Sequence, residues 1–390
     1  MVEAILEKAH FFYSPNKVVF GLNTVNMLGN EIRQLGSRKA FIVTDPGVVK
    51  AGLFRPVKQS LESAGIPYAL YDQVVPEPPS RCIDSAAKQI KAEGCDVVIG
   101  IGGGSSLDVA KGVSIMATND GTVLDLCGID LVKNAPLKKI LIPTTAGTGS
   151  EATRVFVIID EKENTKKVVN SLYVLPDIAI VDPLLTLSLP PKVTSDTGMD
   201  ALVHAIETYV SMTATPFSDI LAEKPIHWIA HYLPVAWAKG SNIEARYFMS
   251  LAATTIGMAF ASGGLGAVHA LAYPLGTEYH LSHGRSNAIM LPHVMRYNLS
   301  GNSERYAAIA ALMGEDIEGL TAPEAALSSV DAVEELLTTL QIPFRLRDYG
   351  IPKGDIPKLV AGGMRSSRLF ITNPRDLNEG DVRSLYEEAF

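Results

Sequence analysis

The apolar positions of the chain change their period once, near its middle. Up to about residue 187, short β-branched runs alternate with amphipathic stretches. The runs predict strands at Lys17–Phe20, Ala40–Thr44, Tyr68–Tyr71, Val97–Ile101, Ile140–Pro143, Val155–Ile159 and Ile178–Val181. Between several of them the apolar residues recur at helical spacing, which predicts helices such as Gly52–Ala64, Ser80–Ala92 and Ser106–Ala117. Strand, helix, strand in this succession implies βαβ units: an α/β, mainly parallel sheet with helices on both faces. Such sheets bind ligands at the carboxyl ends of their strands.

Past Leu187-Ser188-Leu189-Pro190-Pro191 the β-runs nearly vanish. Alanine- and leucine-rich helical patterns take over at Ser195–Val210, Asp219–Ala236, Glu244–Ser262, His269–Leu275, Val294–Tyr297, Ser303–Leu312, Pro323–Leu340 and Ile356–Met364. A proline pair just before a helix is a boundary signal. The expected organisation is therefore an α/β domain at 1–187 and an all-helical domain at 188–390. No internal repeat or low-complexity tract interrupts it.

Composition narrows the class. Hydrophobic residues make up 47% of the chain and charged residues 19%, enough for a large core and unlike a disordered chain. The net charge of −8 argues against a nucleic-acid partner or an anionic membrane surface. Cys82, Cys95 and Cys127 form no CxxC pair, and such sparse use fits a reducing, cytoplasmic setting. Glu3, Glu7 and Lys8 break any apolar run that a signal peptide would need. The stretch from Tyr247 to Thr277 carries no Asp, Glu, Lys or Arg. Its glycines, its hydroxyl residues, His269 and Pro274 suit helices buried in a globular domain better than a lipid-facing span.

Two loops have the chemistry of a nucleotide site. The run Val97–Ile101 feeds Gly102, Gly103 and Gly104, then Ser105 and a helix. Glycines let a phosphate approach the backbone, and a helix N-terminus offers it free N–H groups and a positive dipole end. After the run Ile140–Pro143 come Thr144, Thr145, Gly147, Thr148, Gly149 and Ser150, rich in hydroxyl donors. Either loop alone also reads as an ordinary turn; two of them after two strands of one sheet support each other. The spacing departs from the usual GxGxxG fingerprint, which follows the first strand. Here the first strong strand, Ala40–Thr44, ends in Asp45, a carboxylate that could accept from an adenosine ribose hydroxyl and repel a 2′-phosphate, or that could simply cap the turn Asp45-Pro46-Gly47.

A second constellation lies in the helical half. Asp200 and His204 are four apart in a helical pattern and so share a face. Asp200 sits among apolar neighbours, and a buried carboxylate needs a cation or several donors. Four of the eight histidines fall between 269 and 293. One aspartate and three histidines make a mixed N/O donor set suited to Fe2+ or Zn2+, without choosing between them. Each residue alone also reads as structural: an i,i+4 pair, a satisfied core histidine at His269, a loop residue at His283.

Taken together, GGGSSLDVAKG at 102–112, PTTAGTGSEAT at 143–153, DTGMDALVHAIETYVS at 196–211 and GLGAVHALAYPLG…HG…NAIMLPHVMRYN from 264 to 298 resemble the iron-containing (group III) alcohol dehydrogenases over essentially the whole chain. The resemblance implies a dehydroquinate synthase-like fold with an active site in the cleft between a Rossmann-like domain and a helical metal-binding domain. It implies Asp200, His204, His269 and His283 as metal ligands. It places the diphosphate of NAD on Gly102, Gly103, Gly104 and Ser105, lines the cofactor with Thr144, Thr145 and Thr148, gives the adenosine ribose to Asp45, and aligns Lys166 with a cofactor-contacting lysine. It also implies a homodimer or larger homo-oligomer. Two features depart from the family pattern. Tyr273 stands where many members carry a histidine proposed in proton relay, which leaves His280 as a replacement donor and the better-matched base of the two. The VxPNP loop reads Val75-Pro76-Glu77-Pro78-Pro79.

The expected activity is NAD-dependent hydride transfer between a short primary alcohol and its aldehyde, with Phe156 and Phe260 in the substrate pocket. Arg154 and Arg285 could instead reach the anionic tail of an aldehyde such as sulfoacetaldehyde. A cyclising lyase of the dehydroquinate synthase type would need lysines and arginines that 196–211 and 264–284 lack. A non-catalytic nucleotide-binding assembly subunit would leave the metal constellation unexplained.

Overall fold

The computed structural model describes residues 9–163 and 165–390. Glu3, Glu7 and Lys8, which bear on a signal peptide, lie outside the described residues. The chain forms two units, Tyr13–Leu189 and Pro190–Phe390 with the N-terminal stretch through Phe12. The division thus falls at the Pro190-Pro191 pair rather than at 187/188. Residues 9–12 group with the helical unit, against the expectation that they begin the α/β domain.

In the N-terminal unit six strands form one parallel sheet: β1 (Lys17–Phe20), β2 (Ala40–Val43), β3 (Tyr68–Tyr71), β4 (Val97–Gly102), β6 (Lys138–Pro143) and β9 (Ile178–Val181). Their order across the sheet is β1-β9-β6-β4-β2-β3. Each neighbouring pair runs parallel. Both faces are covered, which is why these strands read as continuous apolar runs. Phe41, Val43, Val98 and Leu141 join one core cluster, while Ala40, Ile42, Ile99 and Ile140 join another. Helices α1 (Leu28–Gln34), α2 (Pro46–Lys50), α3 (Phe54–Ser63), α4 (Ser80–Glu93) and α5 (Gly104–Met116) connect them.

Val155–Ile159 does not join this sheet. It lies in β7 (Val155–Asp160), antiparallel to β8 (Thr165–Asn170), and β8 pairs in turn with the short β5 (Gly128–Ile129). Burial alternates along β7, so this strand has one covered face where the central strands have two. The polar Thr165-Lys166-Lys167 start of β8 hides it from a hydrophobic reading.

The second unit is helical among its described residues: α6 (Pro191–Val210), α7 (Pro216–Ala238), α8 (Ile243–Gly263), α9 (Ala267–Tyr279), α10 (His283–Asn298), α11 (Ser303–Met313), α12 (Ala322–Thr339), α13 (Ile356–Met364) and α14 (Glu379–Glu388). Proline opens α6, where a missing N–H costs nothing. From Met199 to Val210 every residue of α6 is buried, so it runs through the core of its unit rather than across a surface. Among the described residues no single helix is long and apolar enough to cross a membrane, and α8 and α9 bend by 111° at their junction.

Candidate metal and nucleotide sites

The metal constellation forms within the helical unit. Asp200 and His204 lie one turn apart on α6, both buried. His269 lies in the first turn of α9, and His283 is the first residue of α10. Ligand atoms of Asp200, His269 and His283 all lie within 4.8 Å of one another. His204 lies beside this trio, its Nε2 3.1 Å from Nε2 of His269. His204 Nδ1 is 4.0 Å from Asp200 Oδ2, and His283 Nε2 is 3.6 Å from Asp200 Oδ1.

This arrangement fits a divalent cation. Two neutral imidazoles cannot face each other at 3.1 Å through bare lone pairs; a proton or a cation has to stand near that line. Burial disfavours the protonated ring of His204 and pushes its pKa down to about 4, which leaves the neutral form that binds metal. Asp200 is also buried, which alone would raise its pKa, but the three imidazoles and the amide of Asn287 outweigh that and lower it. The carboxylate is therefore ionised and ready as a donor.

Gly284 makes this meeting possible. A Cβ there would stand 2.0 Å from the backbone oxygen of Asp196 and 3.2 Å from Cβ of Asp200. Only a residue without a side chain lets the start of α10 press so closely on α6. Two aromatic rings border the cluster. Phe260 stacks on His204 at 4.8 Å between centroids, and Tyr273 stacks on His283 at 5.9 Å.

Two members of the site were missed in the sequence. Glu207 accepts from the His269 ring at 2.6 Å and from Val268 N at 2.7 Å. Asn287 donates to Asp200 Oδ1 at 2.7 Å, and its Nδ2 lies 3.3 Å from Nε2 of both His269 and His283. The signal was present: 200, 204 and 207 trace one helical stripe, and 287 follows 283 by one turn.

Other expected site residues have different surroundings. Phe156 is 1% exposed and belongs to the core cluster of the N-terminal unit that also holds Val43 and Val98. Arg154 pairs with Asp130 at 3.1 Å and donates to Asn170 at 2.7 Å. Arg285 is held by Asp196 at 2.5 Å and by the hydroxyl of Tyr349. Neither arginine extends unengaged toward an anionic tail. His280 ends α9 in a left-handed conformation and is exposed, whereas Tyr273 touches the cluster. Burial pushes the Tyr273 phenol up to about 12, which makes it a poor general base.

The nucleotide loops form within the N-terminal unit. Gly102 ends β4 opposite Pro143 of β6, and Thr144 N donates to Gly102 O at 2.9 Å. A Cβ at Gly104 would meet Thr148 at 2.8 Å. The two loops therefore lie side by side at the carboxyl ends of adjacent strands. Gly102 has φ +148°, a region closed to most side chains, and its own Cβ would meet Ser106 at 2.6 Å. Helix α5 starts at Gly104, and its first amides lack carbonyls one turn earlier. Gly103, Gly104, Ser105, Thr145 and Thr148 are part-exposed there, and Thr144 is buried beneath them.

Asp45 follows β2, on the far side of β4 from β6. Here the strand order reverses, since β3 lies outside β2 and β4 inside it; such a switch point is where open α/β sheets bind ligands. Asp45 accepts from Ser106 at 2.9 Å and from Val48 N, capping α2. Both readings of this residue thus meet at one position: it is a helix cap, and it stands beside the glycine loop. Lys166 pairs with Glu77 at 2.6 Å, joining the lysine to the loop that departs from the VxPNP pattern.

The sequence matches two family profiles, iron-containing alcohol dehydrogenase over residues 15–183 and the C-terminal part of the Fe-containing alcohol dehydrogenase family over residues 194–390. Long-chain-alcohol dehydrogenase 1 of Geobacillus thermodenitrificans is 42% identical, over 95% of this chain and 94% of its own. The crystal structure of a 1,3-propanediol oxidoreductase superposes with a TM-score of 0.96 at 39% identity, over 98% of this chain and all of that one. A sulfoacetaldehyde reductase from Bifidobacterium kashiwanohense, solved in complex with NAD+, superposes with a TM-score of 0.87 at 28% identity, over 98% of this chain and 99% of that one. With two profiles spanning both units and relatives matched nearly end to end, the chain belongs to the iron-containing alcohol dehydrogenase family.

Proposed function

We propose that this protein is a metal-dependent oxidoreductase that moves a hydride between NAD(H) and a short primary alcohol or aldehyde. The observation that supports the reading is the convergence of Asp200, His269 and His283 from three helices of one unit, with His204 against His269. A divalent Fe2+ or Zn2+ held there would act as a Lewis acid on the substrate oxygen, and NAD would supply or accept the hydride. The chain's own part is placement. Gly102, Gly103, Gly104 and Ser105 offer backbone amides to the diphosphate. Thr144, Thr145 and Thr148 supply the neighbouring loop, with Asp45 for the adenosine ribose and Lys166 as a further cofactor contact. Phe260 and Tyr273 shield two sides of the cluster from water.

A neutral substrate is favoured over an anionic one, because Arg154 and Arg285 already have carboxylate partners. A cytoplasmic location is part of the same reading, supported by three cysteines that are all free. So is assembly as a homodimer or larger, supported by the family resemblance. The test is metal analysis of the purified protein with an NADH-consumption screen over neutral, hydroxylated, sulfonated and phosphonated short aldehydes. Near one divalent metal per chain and fastest turnover of a neutral aldehyde are expected. Full NADH turnover without bound metal would sink the reading.

A further inference from the structure

Glu207 is not a member of the four-residue donor set, yet it is the second buried carboxylate of the cluster. Its side chain is 5% exposed, and among the described residues its ion-pair partner is His269. The contact is between Glu207 Oε2 and Nδ1 of His269, at 2.6 Å. The other oxygen, Oε1, is engaged by Val268 N at 2.7 Å. Both oxygens therefore act as acceptors toward one short segment of α9. Gly266 leaves room for this reach, since a Cβ there would stand 3.1 Å from Oε1.

Two consequences follow from elementary chemistry. A carboxylate facing Nδ1 holds the ring proton on that nitrogen, so Nε2 keeps its lone pair. Nε2 is the atom that faces His204 and Asn287. The charge count is the second consequence. Asp200 and Glu207 bring two negative charges into a cluster of three imidazoles, a sum that one divalent cation cancels. We propose that Glu207 is the positioning residue of the metal centre: it fixes the tautomer and orientation of His269 and supplies the second negative charge without itself ligating.

This inference rests on the metal-centre reading above. An amide at 207 cannot replace the carboxylate. It has one acceptor where two are needed, so its NH2 must face either the Val268 N–H or the His269 ring. Facing the ring, it would donate to Nδ1 and move the proton to Nε2, where metal must bind. Glu207→Gln should weaken Zn2+ and Co2+ binding to the metal-stripped protein by about 10- to 100-fold, measured by competition with a chelator. The thermal midpoint of the metal-free variant should stay near that of the metal-free wild type. A second readout needs no variant. Histidine ring 15N spectra of the metal-free and Zn2+-loaded wild type should show His269 protonated at Nδ1, assigned by its loss in His269→Ala. The opposite tautomer in the wild type overturns the proposal, as does unchanged affinity in Glu207→Gln. A fall in affinity that only tracks a fall in metal-free stability overturns it too. If the wild type binds no divalent metal at all, the metal-centre reading itself fails, and this inference with it.

Discussion

The helical unit and the N-terminal unit build their candidate sites in opposite ways. The metal cluster is made of side chains on helices; a neighbour hydrogen-bonds His269 and another hydrogen-bonds Asp200. The nucleotide loops are made of backbone at the ends of strands, where glycines leave space for a ligand. One site concentrates buried negative charge; the other offers amide dipoles and hydroxyls. A side-chain site is lost atom by atom through substitution of a ligand. A backbone site is lost by adding atoms. That contrast predicts different failures in the two units.

The largest effect is expected from His269→Ala. It removes one donor of four, and Lewis-acid stabilisation is worth several kcal/mol, so kcat/KM should fall by about 10³-fold or more. Bound metal should be largely lost while NAD binding, measured by fluorescence titration, persists. Retained metal with near-normal turnover would break the assignment.

Gly284→Ala tests packing rather than ligation in the same unit. Its Cβ cannot coexist with the Asp196 carbonyl at 2.0 Å, so α10 must shift and carry His283 with it. We expect about 1–3 kcal/mol of lost stability in denaturant melts and at least tenfold weaker metal binding. A variant that keeps wild-type metal affinity would show that α10 tolerates displacement.

Gly104→Val adds atoms on the other side of the comparison. Its first carbon would press on Thr148 at 2.8 Å and crowd the space above the first amides of α5. KM for NAD should rise by about tenfold, about 1.4 kcal/mol, with metal content untouched. Loss of metal as well would mean the two sites are not separable. Asp45→Gly sharpens the same point. Removing the carboxylate should narrow the preference for NAD over NADP, for which like-charge repulsion contributes roughly 1–3 kcal/mol. An unchanged NAD/NADP ratio would place the selector elsewhere.

The smallest effect on activity concerns Lys111, buried in α5 beneath the nucleotide loop. It donates to Ser150, Thr153 and the Val155 carbonyl, and burial pushes its pKa down to about 8 from 10.5. The folded lysine gives up its proton near pH 8, while the unfolded one holds it to about 10.5. Between those values the unfolded chain binds more protons, so this residue makes stability rise with pH. Lys111→Met should remove that rise, on the order of 2 kcal/mol between pH 7.5 and 9.5 in urea melts. Parallel wild-type and variant curves would show that Lys111 stays charged in the fold.

Much of this is legible in the amino-acid sequence alone. The central strands announced themselves because they are buried on both faces and read as unbroken apolar runs. The glycine loop was legible because three consecutive glycines after such a run have few other uses. β8 was not, since its lysines and threonine mask a strand that has one covered face and lies outside the main sheet. The start of α10 was hidden because Gly284 and Pro292 both argue locally against a helix, and only the contact with α6 explains the glycine.

By itself the sequence determined the βαβ pattern, the switch to helices at the proline pair, and the residue types able to hold a cation or a diphosphate. These follow from periodicity and short-range chemistry, which a linear chain carries in full. Which residues meet was decided only by the tertiary structure. Glu207 and Asn287 meet partners more than fifteen residues away or on other helices, and Arg154 and Arg285 pair with Asp130 and Asp196. Hydrogen bonds and charge pairs act over a few ångströms in space, and sequence separation says little about that distance.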